Sequence, residues 1–385
     1  MSNKVPVIAL AGIAAIGLAV SMSTRGNEEP KKSAPAPKKE KKEYDNVIIG
    51  DVGGTNTRLQ LVRLYHDQAQ QHKKETLKQL TVYKSHEHES LTAIIQKFLA
   101  EVPKSSKPRI GVVGIAGPVS NNTAFVTNIP LWPTVDGEAI AELCEMDSFS
   151  LINDFTAAGY GISTLKHKDS TILGSSGEAP LVEGPNSVKV VIGPGTGLGC
   201  GILIKGDSTD SMYEVYASEG GHTDFCCKTD EDFALLKFSR EFIENSNNIE
   251  NLRAKGKVGR VSVERLTAGP AVPLIYAFMK EQHKDLEVIL EKDTDYAKGK
   301  EFDKIESKDI IDCAMKTKDP LCMKVVEKFT ENFGTEAGNL ALKCLPYGGV
   351  YLIGGVTNGI KDYLISNPKF MESFYNKGRL ADLMR

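Results

Sequence analysis

The sequence predicts an α/β protein of two domains in which one folding unit occurs twice. Three observations lead there. A chain of 385 residues that is 41% hydrophobic can bury more core than one small domain needs. An apolar strand, a glycine-rich turn and a second apolar strand occur at NVIIGDVGGTNTRLQLV, residues 46–62, and again about 140 residues later at VVIGPGTGLGCGILI, residues 190–204. Helical and strand periodicities alternate around and after both copies. The expected organisation is an apolar segment with a Lys/Pro/Ala-rich tether over 1–44, a small α/β domain over 45–164 and a large α/β domain over 165–385.

In the first copy Val47, Ile48 and Ile49 read as a buried strand, Gly50-Asp51-Val52-Gly53-Gly54-Thr55 as a tight turn, and Thr57 to Tyr65 as the returning strand. A third strand is expected at Gln79–Tyr83. Strand–turn–strand differs from a Walker loop, which needs Gly-Lys-Ser/Thr and a helix, and from a Rossmann turn, which also opens a helix. Gly53, Gly54 and Thr55 would let backbone N–H groups come close to a phosphate, and Asp51 would offer an oxygen to a hydrated magnesium ion. A plain hairpin explains this copy equally well on its own. His66, His72, His86 and His88 are irregularly spaced among polar residues, as in a solvated loop rather than a metal site.

Leu91, Ile94, Ile95, Phe98 and Leu99 mark one face of a helix that Ser90 can cap. RIGVVGIA, 109–116, is a buried strand ended by Gly117-Pro118, and Asp136 can cap a helix through Met146. Phe149–Ile152 is the strand that delivers Asn153 and Asp154 within SLINDFTAAGYGI, 150–162. A carboxylate between a strand end and a helix start faces a cleft. Beside a side-chain amide, it suits gripping a sugar hydroxyl and removing its proton. An Asn–Asp turn that merely caps a helix is the other reading.

The second copy carries Thr196 in its turn and is followed by a strand at Ser211–Tyr216. It has no acid matching Asp51, so the two turns cannot do the same job. Two facing glycine turns, one with a magnesium-binding acid, make a clamp for a nucleotide's phosphates. Thr229 can cap a helix through Glu244, and Gly269-Pro270 breaks the chain before AVPLIYAFMKEQ. Residues 281–304 are charge-rich and read as a solvated insertion. Leu321, Val325, Phe329, Phe333, Ala337, Leu340 and Cys344 trace the core face of a long helix, and the strand GVYLIG follows.

Net charge is -3, which gives no global basic field for nucleic acid. The seven cysteines are odd in number and scattered, with no CxxC pair, as for thiols in a reducing compartment. Residues 5–20, VPVIALAGIAAIGLAV, are uncharged and read as a membrane anchor or a cleaved signal peptide. Arg25 and six lysines lie downstream and only Lys4 upstream, which favours an anchor with the chain facing the cytosol. Residues 24–43 read as a disordered tether.

DVGGTNTRLQL, INDFTA, GPGTGLGCG, EGGHTDF (219–225), VERLTAGP (263–270) and GGVYLIGGV (348–356) occur together in order. In this set, covering roughly 45–385, the chain resembles the bacterial-type glucokinases of the sugar kinase, actin and heat-shock ATPase superfamily. The resemblance implies a duplicated actin-like ATPase (ribonuclease H-like) fold, two lobes with a cleft between, and phosphorylation of glucose at its 6-hydroxyl by ATP and Mg2+. It implies that Asp154 is the general base and that Asn153, Glu219, His222 and Glu264 bind sugar hydroxyls. It places the phosphates on Asp51, Gly53, Gly54, Thr55, Gly195, Thr196 and Gly197, and the adenosine beside Gly354 and Gly355. Cys226 and Cys227 follow His222, but the cysteine-rich zinc motif of some related sugar kinases is missing. A homodimer is compatible with the resemblance. The apolar N-terminal segment is similar to the short anchors of some plant hexokinases, which implies attachment to the mitochondrial outer membrane. After NKGRLADLMR the family pattern continues with a strand and a glycine-containing helix, where this sequence stops at Arg385. Either the gene is cut short there or the protein manages without that element; none of the named residues is removed.

Overall fold

A computed structural model describes residues 7–10, 44–65, 74–126, 129, 131–132, 134–163, 165, 169–174, 184–208, 211–245, 259–286, 290 and 305–384. The chain divides into two compact units, Gly12–Leu165 and Met1–Ala11 with Lys166–Arg385. In chain order the first elements are β1 (Val7–Leu10), β2 (Tyr44–Val52), β3 (Asn56–Tyr65), β4 (Lys74–Lys84), α1 (Leu91–Ala100) and β5 (Ile110–Ile115). Short strands β6 (Val119–Ser120), β7 (Thr123–Phe125) and β8 (Thr134–Asp136) lead to α2 (Gly137–Leu143), β9 (Ser148–Asn153) and α3 (Asp154–Ile162). Then come β10 (Ser170–Leu173), β11 (Val188–Pro194), β12 (Leu198–Lys205), β13 (Tyr213–Ser218), α4 (Asp230–Asn245), α5 (Ala271–Gln282), α6 (Ser307–Thr317) and α7 (Pro320–Cys344). The last elements are β14 (Val350–Leu352) and the short helices α8 (Gly355–Gly359), α9 (Lys361–Ser366), α10 (Lys369–Tyr375) and α11 (Ala381–Met384).

The smaller unit is built on a five-stranded sheet of order β4-β3-β2-β5-β9. Strands β2, β3 and β4 form an antiparallel meander, while β5 runs parallel to β2 and β9 parallel to β5. Helix α1 follows its periodicity: Leu91, Ile94, Ile95 and Phe98 are buried, and Ser90 Oγ accepts from Ala93 N at 3.1 Å. The third strand is longer than the expected Gln79–Tyr83. The sheet β6-β7-β8 carries no sequence signal, because two or three residues are too few to display a period. His66 and His72 lie outside the described residues. Trp132 is buried and its indole donates to His88 O at 2.9 Å.

The larger unit is built on a six-stranded sheet of order β10-β1-β14-β11-β12-β13. Strands β11, β12 and β13 are antiparallel, and β14 runs parallel to β11. Its core is helical on the scale the long apolar stripe predicts. In α7 Leu321, Val325, Phe329, Phe333, Ala337 and Leu340 are all buried. Asp319 caps α7 by accepting from Cys322 N at 2.8 Å, with Pro320 at the first helical position, where its missing N–H is not needed.

The N-terminal apolar segment departs from its expected form. Val7–Leu10 is a strand inside the larger unit's sheet, not a turn of an apolar anchor helix. Val5, Val7 and Ile8 are β-branched and Pro6 lacks an N–H, a composition that favours extended backbone. Among the described residues no helix is long and apolar enough to cross a membrane. The tether at 24–43 and most of the 281–304 insertion lie outside the described residues.

One buried ion pair joins α4 to α7. Lys328 Nζ lies 2.7 Å from Asp232 Oδ1 and 2.6 Å from Glu231 Oε2. Asp232 Oδ2 also accepts from Lys228 N at 2.9 Å and Thr229 N at 3.0 Å, which caps α4. Burial alone would raise the Asp232 carboxyl, but the Lys328 ammonium and these N–H groups outweigh it and hold it below the usual carboxylate range. Burial would lower Lys328, and the two carboxylates outweigh that and raise it. The pair therefore stabilises the fold fully above the ordinary carboxylate value and below the ordinary lysine value. Its contribution is lost as pH falls through the depressed Asp232 value or rises through the elevated Lys328 value. Lys328→Met leaves a buried carboxylate unpaired and should cost about 3–5 kcal/mol, read as a lower urea midpoint at pH 7. The deficit against the parent should shrink as acid protonates Asp232.

Candidate active site

In the smaller unit the turn between β2 and β3 is closed from within. Gly53 N donates to Asn56 O at 3.0 Å, Ser85 N to Thr55 O at 3.1 Å, and Ser85 Oγ to Gly53 O at 2.8 Å. These bonds take up the carbonyls of Gly53 and Thr55. The N–H groups of Gly54 and Thr55 have no partner among the described residues, and Thr55 is exposed. Asp51, on the last turnward stretch of β2, pairs with Arg58 on β3, with Oδ2 to Nη1 at 2.8 Å. Both side chains are about one-third exposed, so the carboxylate reaches solvent beside the turn.

Asn153 and Asp154 stand at the same end of that sheet, because Val52 is level with Ile115 and Ile115 with Asn153. Asn153 Oδ1 accepts from Phe155 N at 2.9 Å and Thr156 N at 3.2 Å, so Asn153 caps α3. Its amide also donates to Gly117 O at 3.2 Å. The helix-cap reading holds: the amide builds the turn, and the turn carries Asp154 at the start of α3. One N–H of Asn153 is left for a ligand, which narrows its expected part in sugar binding. Asp154 opens α3 and accepts from Phe155 N at 2.9 Å. Gly114 on β5 lets α3 lie this close, since a Cβ there would sit 3.2 Å from Ala157 Cβ and 3.5 Å from Asp154 Cα.

Asn122 is a positioning residue that sequence reasoning missed. It sits in the β6–β7 turn with φ 55°, and Asn121 beside it has φ 50°. Its side chain accepts from Leu151 N at 2.8 Å and donates to Phe149 O at 2.9 Å. One amide thus satisfies the outer edge of β9, the strand that leads to Asp154. The available signal was Asn121-Asn122, a pair suited to left-handed turn conformations.

In the larger unit the second turn, Gly195-Thr196-Gly197, joins β11 to β12 and is closed by Gly195 N donating to Gly197 O at 2.8 Å. Gly269 N, from the VERLTAGP segment, donates to Gly195 O at 2.8 Å and backs the turn. The same segment carries Glu264, on a short 3-10 helix at Val263–Leu266. The structure brings Glu264 together with His222 and Glu219: His222 Nδ1 lies 3.3 Å from Glu264 Oε1, and Nε2 lies 3.7 Å from Glu219 Oε2. Glu264 is largely covered while His222 and Glu219 are exposed, so the cluster opens outward from one anchored carboxylate. It also abuts the second glycine turn, since a Cβ on Gly197 would meet Glu264 Oε2 at 3.0 Å. Arg260 fixes the His222 backbone by donating to its carbonyl at 2.7 Å.

The candidate glycines separate into two kinds. Gly354 has φ 102°, and a Cβ there would meet Pro194 O at 2.7 Å, so the fold itself requires it. At Gly53 the nearest atom to an added Cβ is 3.5 Å away, at Gly195 it is 3.9 Å, and at Gly355 nothing lies within 4 Å. Internal packing leaves those three positions open.

Among the described residues the one set with metal-ligand proximity is Cys313, Asp319 and Cys322, whose ligand atoms lie within 4.8 Å of one another. Asp319 spends its oxygens on Cys322 N at 2.8 Å and Leu290 N at 2.9 Å, and burial pushes both thiols up. That is a helix cap with two packed thiols. His222 belongs to no such set.

Two sheets of one plan, each with a glycine turn between the first two strands of its antiparallel meander, define the class: an actin-like, ribonuclease H-type fold of the two-lobed sugar kinases. Within it, the chain belongs to the glucokinase family, whose profile matches residues 48–385. A glucokinase of Nostoc sp. is 35% identical over 343 residues, covering 88% of this chain and 92% of that protein. One of Synechocystis sp. is 33% identical, covering 88% and 91%. The crystal structure of a glucokinase from an Antarctic psychrotroph aligns with TM-score 0.64 at 26% identity, covering 88% of this chain and 91% of its own. The glucokinase of Balamuthia mandrillaris, solved in complex with glucose, shares the fold with TM-score 0.66 at 18% identity, covering 89% and 88%.

The two kinds of glycine should respond differently to one methyl group. Gly53→Ala and Gly195→Ala should leave the thermal midpoint unchanged or raise stability by up to about 1 kcal/mol. Gly354→Ala should destabilise by roughly 1–3 kcal/mol. Calorimetry on the three variants checks the division.

Proposed function

We propose that this protein is a glucokinase that transfers the γ-phosphoryl group of ATP to the 6-hydroxyl of glucose. The observation that supports this most is the joint placement of a glycine turn and the Asn153–Asp154 pair at one end of the smaller unit's sheet, in a chain of this family. Asp154 takes the proton from the 6-hydroxyl as that oxygen attacks phosphorus, and Asn153 holds the turn that aims it. Glu264, His222 and Glu219 bind the other hydroxyls. Carboxylates accept from hydroxyls and the imidazole can do either, so an analogue missing a hydroxyl leaves a polar group unpaired and is penalised. His222 is steered by the two carboxylates that flank it.

Gly53, Gly54, Thr55, Gly195, Thr196 and Gly197 receive the phosphates through backbone N–H groups, and Gly354 and Gly355 face the adenosine. The openness at Gly53, Gly195 and Gly355 supports this, because a side chain there would stand where a ligand approaches rather than where the protein packs. Asp51 suits magnesium: a solvent-reaching carboxylate beside the first turn matches a hard cation that keeps most of its waters. When bound, magnesium neutralises charge on the phosphate oxygens during transfer.

Asp154→Asn should lower kcat by about 10²–10⁴ with a small change in the KM for glucose. A variant within threefold of the parent would mean that another group is the base. Glu264→Gln should chiefly raise the KM for glucose, and a panel of hexoses in the same coupled assay sets the sugar preference.

A further inference from the structure

The two sheets share one plan through four strands. In the smaller unit β2, β3 and β4 are antiparallel neighbours, and β5 lies parallel on the other side of β2. In the larger unit β11, β12 and β13 are antiparallel neighbours, and β14 lies parallel on the other side of β11. The fifth position in the smaller unit is β9, parallel to β5 and a little further along the chain. In the larger unit the fifth position, parallel to β14, is held by β1. That strand precedes the whole smaller unit in sequence.

From this we infer that Val7–Leu10 is the fifth strand of the larger unit's sheet, supplied from the N-terminal side of the smaller unit. The chain order is thus permuted relative to the duplication, and the first apolar segment is a folding element. The pairing is two-sided. Val7, Ile8 and Ala9 pair with Val350, Tyr351 and Leu352 of β14, while Val7 to Leu10 pair antiparallel with Leu173 to Ser170 of β10. A strand hydrogen-bonded along both edges is interior to the sheet and cannot be withdrawn without opening two ladders. The sequence carries the same correspondence. Strand β9 is followed by DFTAAGYGI and β1 by AGIAAIGLAV, each a run of Ala and Gly with isolated larger apolar residues.

The consequence falls on β14. It is three residues long and runs at once into Ile353 and Gly354-Gly355. Its register depends on β11 on one side and β1 on the other. The N-terminal segment thereby helps to position the glycine pair through the register of β14.

Hydrogen exchange on the full, unaltered chain tests this. The amides of residues 7–10 should exchange within about tenfold of those of Val350–Leu352. Complete exchange of 7–10 at the earliest time point, as in a lysine-rich tether, overturns the inference. A second measurement uses Ile8→Cys with Ile172→Cys, which stand directly opposite in the antiparallel register. Cα atoms so paired lie about 4.5–5.5 Å apart, within reach of a disulfide. Mild oxidation should link positions 8 and 172 within one chain, read by peptide mapping of the monomer fraction. No link, or a link found only between two chains, overturns the inference. Flotation with lipid vesicles should leave the full chain at the bottom of the gradient, and co-flotation would restore the anchor reading.

Discussion

The register of parallel strands is the constraint from which the site follows. In the smaller unit Val52, Ile115 and Asn153 stand level across three strands. The chain leaves β2 into a glycine turn and leaves β9 into a carboxylate at the same rim. Two strand spacings separate them, about 10 Å. The larger unit repeats the device: Ile192 is level with Leu352, so the second glycine turn and Gly354 emerge at one rim. Ligands gather beyond the carboxyl ends of parallel strands because loops there are free to diverge while the strands beneath are not. Consecutive residues such as Val112 and Val113, or Val190 and Val191, are buried on opposite faces, so a slip of one residue in either parallel pair would exchange the two packed faces and break the fit of both.

The two units divide the polar work. The smaller unit holds one carboxylate at the start of a helix, where Asn153, Gly117 and Asn122 fix its backbone. The larger unit holds a cluster of two carboxylates and an imidazole, fixed by Arg260 and by the strap that also backs the second glycine turn. Glu264 joins the cluster to the turn, since it pairs with His222 and crowds Gly197. A change of size at Glu264 would therefore disturb the imidazole and the second glycine turn together.

Much of this was legible in the sequence where several residues had to agree. The α7 stripe, the Ser90 cap and both strand–turn–strand units depend on periodicity over ten or more residues, and they appear as expected. The candidate site residues could be named because turns concentrate glycine and acid in short words such as DVGGT and INDF. Illegible features rest on single residues or on distant partners. Asn122 acts through one amide, which no pattern marks. The β6-β7-β8 sheet is too short for a period. Strand β1 was misread because sixteen uncharged residues satisfy a hydropathy criterion whatever they pair with, and its partners lie more than 150 residues away. The decisive signs there, Pro6 and the β-branched residues about it, were outweighed by overall apolarity.

The Asn122 amide laid against β9 has a consequence for solubility. That strand lies at the margin of its sheet, and a bare margin invites a neighbouring molecule to add a strand there. By occupying the N–H of Leu151 and the carbonyl of Phe149, Asn122 acts as a one-residue false neighbour. The molecule thus closes part of one open seam with the same amide that steadies the strand leading to Asp154, and that much protection against edge-to-edge stacking comes built into the geometry of the turn.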